Sequence, residues 1–187
     1  RLYFQPNADF NGTLPGAITF HAWDQTSGAN GGTADTSTSG GNTAFSSTTD
    51  TASLVVNAVN DAPTATNLSV AETYIEDTAL NLTNIMASDV DGGNITATLT
   101  LSNIAAGSLN TATSGAVTST YNALTGVWTA SGAIADVNTL LAGATFNPAS
   151  NFNSNFIIAT RISDGVAAAI TGSKAMAVTA VNDAPVL

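Results

Sequence analysis

Short runs of alternating apolar and polar residues follow one another along most of the chain, separated by Gly, Asn, Asp or Pro. Successive side chains of a β-strand point to opposite faces of the sheet, so this period of two predicts strands with one buried face. The predicted strands span residues 2–5, 17–23, 52–59, 67–73, 78–83, 94–102, 115–121, 126–130, 143–147, 155–163 and 174–181. A single helical turn is predicted over residues 135–141, with Asp136 as its N-terminal cap.

An internal repeat organises this pattern. Residues 59–63 read Val-Asn-Asp-Ala-Pro, and the same five residues recur 122 positions later as residues 181–185. The match continues upstream of each copy, where the corresponding segments are 4–11 with 146–153 and 18–24 with 158–164. Self-similarity of this kind indicates that the chain contains parts of two similar modules.

The repeat predicts the domain organisation. Residues 1–63 are expected to be the C-terminal half of one repeat, and residues 64–187 a complete repeat that ends in the junction motif. About eight or nine short strands with turn residues between them predict a Greek-key β-sandwich, so the expected fold class is all-β. The first copy carries an extra stretch over residues 25–50 that consists almost wholly of small and polar residues, which predicts a surface loop.

Charge limits the possible partners. The 187 residues include 13 acidic and 3 basic ones, which gives a net charge of −10. Because so few cations cannot form a basic groove, we expect no nucleic acid and no anionic membrane surface as a partner. No apolar run approaches the roughly 20 residues that cross a bilayer, so membrane insertion is not expected either. The chain has no cysteine for a disulfide or a zinc site, and its acidity points instead to a hard cation.

Several motifs together resemble one known family. Besides the two junctions, they are residues 6–12, 76–80 (Glu-Asp-Thr-Ala-Leu), 89–95 (Asp-Val-Asp-Gly-Gly-Asn-Ile) and 137–143 (Val-Asn-Thr-Leu-Leu-Ala-Gly). The whole chain is similar to the cadherin-like sandwich repeats of large bacterial surface adhesins of the RTX type, which type I secretion exports. The resemblance implies cadherin- or immunoglobulin-like sandwiches in tandem that extend an extracellular protein at the bacterial cell surface. It also implies calcium at the junctions between repeats.

Carboxylates on turns supply the candidate metal ligands. Calcium binds roughly six to eight oxygens, and Asp89-x-Asp91-Gly-Gly offers two carboxylates on a turn whose glycines let the backbone curl. The other candidates are expected to lie near the same end of the sandwich. The predicted ligands are the carboxylates of Asp61, Glu76, Asp89 and Asp91, the amide oxygens of Asn60 and Asn94, and, as a further candidate, Asp24.

A second site is expected at the second junction. Asp164 and Asp183 should form it when another repeat follows. The alternative for every acidic candidate is a plain turn, because Asp and Asn ahead of Gly or Pro often bond to nearby backbone N–H groups.

Catalysis is not predicted, and the chain is expected not to be an enzyme. His21 is its single histidine, and no cysteine is present, so a relay for nucleophilic catalysis is lacking. Paired carboxylates can cleave glycosides, but such clefts normally carry an aromatic platform for the sugar. Trp23 and Trp128 are expected to be sandwich-core residues instead.

These observations predict a structural extender segment of a secreted adhesin or fibre, with adjacent repeats as partners and calcium at the junction. One alternative is a self-assembling extracellular filament subunit, in which strands of a neighbouring copy complete the half repeat 1–63. Another is a sandwich that binds a surface glycan through Trp23 and the 25–50 loop. A third is an accessory sandwich of a secreted hydrolase.

Overall fold

The computed structural model describes residues 3–184. The fold is all-β, as predicted, and its strands form several sheets. The chain divides into two compact units, unit 1 over residues 1–59 and unit 2 over residues 60–187. In the described part of the chain, no helix has both the length and the apolar character needed to cross a membrane.

The two units divide inside the junction motif, between Val59 and Asn60, rather than after residue 63 as expected. Asn60 donates a hydrogen bond to the Asp164 carboxylate, and the Asp61 N–H donates to the Asp91 carboxylate. These bonds tie Asn60 and Asp61 to the sandwich that follows them, so the motif from Asn60 onward belongs to unit 2.

Unit 1 contains a two-stranded antiparallel ribbon. Strand β1 spans Gly12–Trp23 and strand β2 spans Phe45–Val56. The loop between them covers residues 24–44, which is shorter than the predicted 25–50. It ends early because Phe45 already pairs with Trp23 across the ribbon.

Within residues 60–184, unit 2 contains thirteen strands, a 3-10 turn at Ile104–Ala106 and one helix. The helix α1 spans Ile134–Ala142. The strands are β3 Thr64–Thr66, β4 Glu72–Ile75, β5 Leu80–Asn81, β6 Met86–Ser88, β7 Asn94–Leu101, β8 Gly107–Leu109, β9 Thr113–Ser114, β10 Val117–Thr118, β11 Thr120–Asn122, β12 Val127–Ala133, β13 Thr145–Pro148, β14 Phe156–Ser163 and β15 Ile170–Thr179.

A six-stranded sheet forms the main layer of unit 2, in the order β11-β12-β7-β14-β15-β4. Its neighbours pair antiparallel except β15 and β4, which run parallel. The smaller sheets, β5-β13-β8 and β3-β6, share one hydrophobic core with this layer and α1. Alternate residues of β7 are buried, which is the period of two that the sequence predicts.

Aromatic residues fill much of this core. Trp128 is 1% exposed, which confirms its expected core position, and its indole N–H donates to the Asn110 carbonyl at 2.9 Å. Tyr74, Phe146 and Phe156 form a cluster with ring centroids 5.0 to 5.9 Å apart. Such tilted and edge-to-face contacts add to the free energy gained by burying the rings.

Three local predictions need correction. The predicted strand 67–73 is interrupted by a turn, because Asn67 adopts a left-handed conformation with φ 61° and strand β4 begins only at Glu72. The predicted helix exists, but it starts after Ala133 with no side-chain cap. The Asp136 carboxylate instead accepts a hydrogen bond from the Ser114 hydroxyl at 3.0 Å.

The predicted strand 2–5 is also corrected in part. Residue 2 lies outside the described residues, and residues 3–5 are not in a strand. Strand β1 begins only at Gly12.

A buried ion pair holds the parallel strands together. Lys174 on β15 is fully buried, and its Nζ lies 2.8 Å from the Glu72 carboxylate on β4, which is 8% exposed. Glu72 also accepts hydrogen bonds from the N–H and the hydroxyl of Thr83, at 2.8 and 3.1 Å. Both charges are therefore compensated, as charges removed from water must be.

We predict that removing one partner of this pair destabilises unit 2 strongly. Lys174→Ala should lower the free energy of unfolding by about 3–5 kcal/mol, because Glu72 then stays buried without a counter-charge. The double variant Lys174→Met with Glu72→Leu should recover most of that loss. Urea unfolding followed by Trp128 fluorescence, in a Trp23→Phe background, measures unit 2 alone.

Arg161 supplies the matched control. It is exposed on β14, so Arg161→Ala removes the same charge and should change the free energy of unfolding by no more than about 0.5 kcal/mol. Equal effects of the Lys174 and Arg161 substitutions would contradict a structural role for the buried pair.

Candidate metal sites at the two ends of unit 2

Acidic residues gather at both ends of unit 2. The leading end, where the chain enters the unit, is defined by Asn60, Asp61, Asp89, Asp91 and Asp164. Strand β15 begins opposite Ile162, close to this end, and finishes at Thr179, opposite Ile75 of β4. Since β15 has ten residues of about 3.4 Å each, its two ends lie about 30 Å apart.

The trailing end, where the chain leaves the unit, is defined by Glu76, Asp77 and Asp183. The carboxylate oxygens of these three residues lie within 4.8 Å of one another. Within residues 3–184 they form the one group of three acidic, cysteine or histidine side chains this close together. Three like charges at this distance repel unless a cation or protons neutralise them.

Glu76 is the buried member of the trailing end. It is 2% exposed, and its Oε2 accepts a hydrogen bond from the Val181 N–H at 2.9 Å. Burial raises the pKa of the neighbouring Tyr74 hydroxyl, and the negative charge of Glu76 raises it further. The Glu76 carboxylate thus links the end of β4 to the start of the second junction motif.

Asp77 and Asp183 are exposed and complete the cluster. Asp77 has a left-handed backbone with φ 61°, and its carboxylate accepts a hydrogen bond from the Asn151 N–H at 2.9 Å. Asn182 donates through its side-chain amide to the carbonyl of Asp183 at 3.2 Å. The motif at this end is therefore ordered by local bonds while the Asp183 carboxylate faces the other two.

At the leading end, a chain of hydrogen bonds connects the junction to the Asp-x-Asp turn. The Asp61 N–H donates to the Asp91 carboxylate at 2.6 Å, and the Asp91 N–H donates to the Asp89 carboxylate at 3.0 Å. Gly92 and Gly93 have φ 71° and 87°, values that let the backbone turn back here. Each carboxylate keeps further lone pairs for a ligand, because an ionised carboxylate offers about four acceptor sites.

Asn60 and Asp164 form the second contact of the leading end. The Asn60 amide nitrogen donates to Asp164 at 2.8 Å and to the Asp61 carbonyl at 2.8 Å. The hydrogen bond from Asn60, followed by bonds from the N–H groups of Val166 and Ala167, lowers the pKa of Asp164. The side-chain nitrogen of Asn60, rather than its expected ligand oxygen, faces that carboxylate.

The remaining candidates lie apart from these contacts. Asn94 is exposed at the start of β7, two residues before Thr96, which pairs with Ser163 next to Asp164. Asp24 belongs to unit 1, where its carboxylate accepts hydrogen bonds from the hydroxyl and the N–H of Thr26. The Thr26 hydroxyl is the main cause of the lowered pKa of Asp24, so this residue acts as a turn former.

The expected grouping of Asp61, Glu76, Asp89 and Asp91 at one end is not what the structure contains. Glu76 lies at the trailing end, because β4 runs parallel to β15 and both strands finish there. Asp89 and Asp91 lie at the leading end, because β6 pairs with β3 directly after the first junction. The period-two pattern of the sequence does not show that β4 and β15 pair in parallel, so it could not predict this separation.

The residues predicted from the sequence do not include Asp77. Asp164, expected at the second junction, lies at the leading end. Asp183, expected at the second junction with a following repeat, lies beside Glu76 within this same unit. The repeated junction motif is the signal that pointed toward this arrangement. A motif that both precedes and follows one sandwich must contact both of its ends.

A separate cavity lies in unit 1. Trp23, Phe45 and loop residues 27–34 line a pocket of about 200 Å³. Trp23 is half-buried rather than part of a core, and its indole N–H donates to the Ser27 carbonyl at 2.8 Å. The expectation of Trp23 as a sandwich-core residue therefore does not hold, and its ring forms one wall of an open pocket.

The two acidic ends of unit 2 and the Trp23 pocket are thus the candidate sites. The sequence matches no protein-family model and no curated protein.

Proposed function

We propose that unit 2 is an extender module of an extracellular bacterial surface protein, with calcium at each junction between modules. The observation that carries this proposal is the placement of the two junction motifs. One motif enters unit 2 at the leading end and the other leaves at the trailing end, and carboxylates surround each. An array of such modules would bring a trailing end and a leading end together around every motif.

The motif itself supports a shared junction site. Asn60 donates to the Asp61 carbonyl, and Asn182 donates to the Asp183 carbonyl, so the two motifs have the same internal hydrogen bond. Asp61 contacts the module that follows it, whereas Asp183 contacts the module that precedes it. In an array, one motif would make both sets of contacts at once.

Combining the two ends gives a calcium-like ligand set. Glu76 and Asp77 would come from the preceding module and Asn182 and Asp183 from the motif. The following module would add the counterparts of Asp89, Asp91 and Asp164. These carboxylates and amides supply enough oxygens for the roughly six to eight that calcium takes.

Electrostatics supports a metal rather than a protein cation at the junction. Among residues 3–184, Lys174 is buried with Glu72 and Arg161 is exposed along β14. Neither basic side chain is placed to neutralise the acidic ends. A divalent ion would remove the repulsion and so stiffen the connection between modules.

A second candidate function has its own observation. The Trp23 pocket combines an aromatic wall with the exposed polar loop 27–34, which is the composition of a small-ligand site. Its volume of about 200 Å³ suits one sugar ring and little more. We therefore keep glycan binding by unit 1 as the alternative to a purely structural role.

We predict that a tandem protein binds calcium more tightly than the 187-residue chain. Residues 1–181 followed by residues 60–187 join two complete modules through one motif. Isothermal calorimetry should give an affinity about tenfold higher or more, because the junction then carries ligands from both ends. Calcium should raise the midpoint of thermal unfolding in the same protein.

Glu76→Gln in only one module supplies the matched control. Glutamine keeps the acceptor for the Val181 N–H but removes the charge. Placed in the first module, Glu76→Gln should abolish the added calcium affinity of the tandem protein. Placed in the second module, it should leave that affinity intact, because no module follows the trailing end there. Equal losses from both positions, or none from either, would contradict a junction site.

For the pocket, Trp23→Ala should abolish binding of soluble oligosaccharides, measured by isothermal calorimetry. Tyr3→Ala is the control, since Tyr3 is an aromatic residue 83% exposed outside the pocket lining. Equal binding by the two variants would exclude the pocket as a glycan site.

A further inference from the structure

The ribbon of unit 1 and the hairpin β14–β15 of unit 2 have the same register. The sequence repeat aligns Ile18 with Ile158 and Ala52 with Lys174. Ile18 pairs with Ala52 across the ribbon, and Ile158 pairs with Lys174 across the hairpin. The next three pairs also correspond: Thr19–Thr51 with Ala159–Ser173, Phe20–Asp50 with Thr160–Gly172, and His21–Thr49 with Arg161–Thr171.

The turns that precede these strands also correspond. Asp9 and Asn151, which the repeat aligns, both adopt left-handed conformations, with φ 60° and 58°. In both turns, the N–H of the residue that follows the left-handed residue donates to the carbonyl two positions before the left-handed residue. The distance is 3.2 Å in unit 1 and 3.1 Å in unit 2. The preceding turn and these four strand pairs therefore correspond to the C-terminal part of unit 2. Unit 1 differs by the inserted loop and by two extra residues in β1, where the register shifts between Leu14 and Ile18.

The surroundings of the two hairpins differ. In unit 2, β14 pairs with β7 on its outer edge and β15 pairs with β4 on its outer edge. Within residues 3–59, β1 and β2 pair with each other alone. Ile158 and Thr160 are 0% and 2% exposed, whereas their counterparts Ile18 and Phe20 are 40% and 47% exposed.

We propose that the ribbon of unit 1 is an acceptor surface for the N-terminal half of another such repeat. That half would add one strand antiparallel to β1, as β7 adds to β14, and one strand parallel to β2, as β4 adds to β15. This inference goes beyond the extender role, because it concerns unit 1 and requires no metal ion.

The supplied half is placed on the same polypeptide, ahead of unit 1. In unit 2 the half that contains β4 and β7 precedes β13–β15 along the chain, and α1 connects to β13 through two residues, Gly143 and Ala144. If the same order holds for unit 1, the two added strands would reach β1 and β2 through a short connection. No entropy would be lost by joining two molecules.

The register specifies the chemistry of the incoming strands. In unit 2, Leu101 and Leu99 of β7 face Ile158 and Thr160. Their counterparts would lie opposite Ile18 and Phe20, so the strand added to β1 should be apolar at those two positions to bury them.

The strand added to β2 should differ from β4 at one position. Glu72 in β4 neutralises Lys174, but the counterpart of Lys174 in unit 1 is Ala52. A carboxylate there would be buried without a partner, so we infer an apolar residue at the position equivalent to Glu72.

The test joins residues 60–144, carrying Glu72→Leu, directly ahead of Tyr3 of the chain. The repeat aligns Thr145 with Tyr3, so this fusion preserves the natural spacing. Hydrogen–deuterium exchange should slow about a hundredfold or more at residues 18–22 and 52–56, compared with the 187-residue chain. Exchange in β14 and β15 should not change.

Two further measurements complete the test. Adding Leu99→Asp and Leu101→Asp to the fused half should abolish the protection, because pairing with β1 would then bury two carboxylates that have no partner. Unprotected β1 and β2 in the original fusion would overturn the proposal. The proposal would also be overturned if β1 were already protected from exchange in the 187-residue chain and the protein had a mass well above 18.6 kDa in solution. A second copy would then cover the ribbon.

Discussion

The parallel pairing of β4 with β15 is the constraint on which the arrangement of unit 2 depends. Lys174 and Glu72 face each other across it in a buried ion pair, and Thr83 completes the hydrogen bonds of Glu72. Because parallel strands finish at the same edge of a sheet, the pairing carries Glu76 to the place where the chain leaves the unit. The composition of the trailing end is thus a direct consequence of strand direction.

The junction motif couples the two ends through ordinary backbone geometry. Each copy of the motif bonds to itself in the same way, while its aspartate contacts different partners. Asp61 reaches Asp91, and Asp183 reaches Glu76 and Asp77.

Units 1 and 2 contain the same hairpin in two environments. Local sequence is sufficient for the turn that precedes each hairpin and for four matching strand pairs, because these recur where the neighbouring strands differ. The burial of the hairpin's side chains, in contrast, depends on the strands that flank it. Ile158 lies in a core because β7 and β4 flank the hairpin, whereas Ile18 remains exposed in a ribbon of two strands.

Much of the fold could be predicted from the sequence, and the physical reason is that alternation and turn residues act over a few neighbours. The all-β class, the long strands β7 and β14 and the helix near residue 135 all follow from such local patterns. Strands of two or three residues, such as β5 and β9, are too short to show a period. Alternation determines which residues face inward, but it does not specify which strand lies alongside. The sequence by itself therefore determined the candidate acidic residues, and only the tertiary structure decided that Glu76 and Asp91 belong to opposite ends.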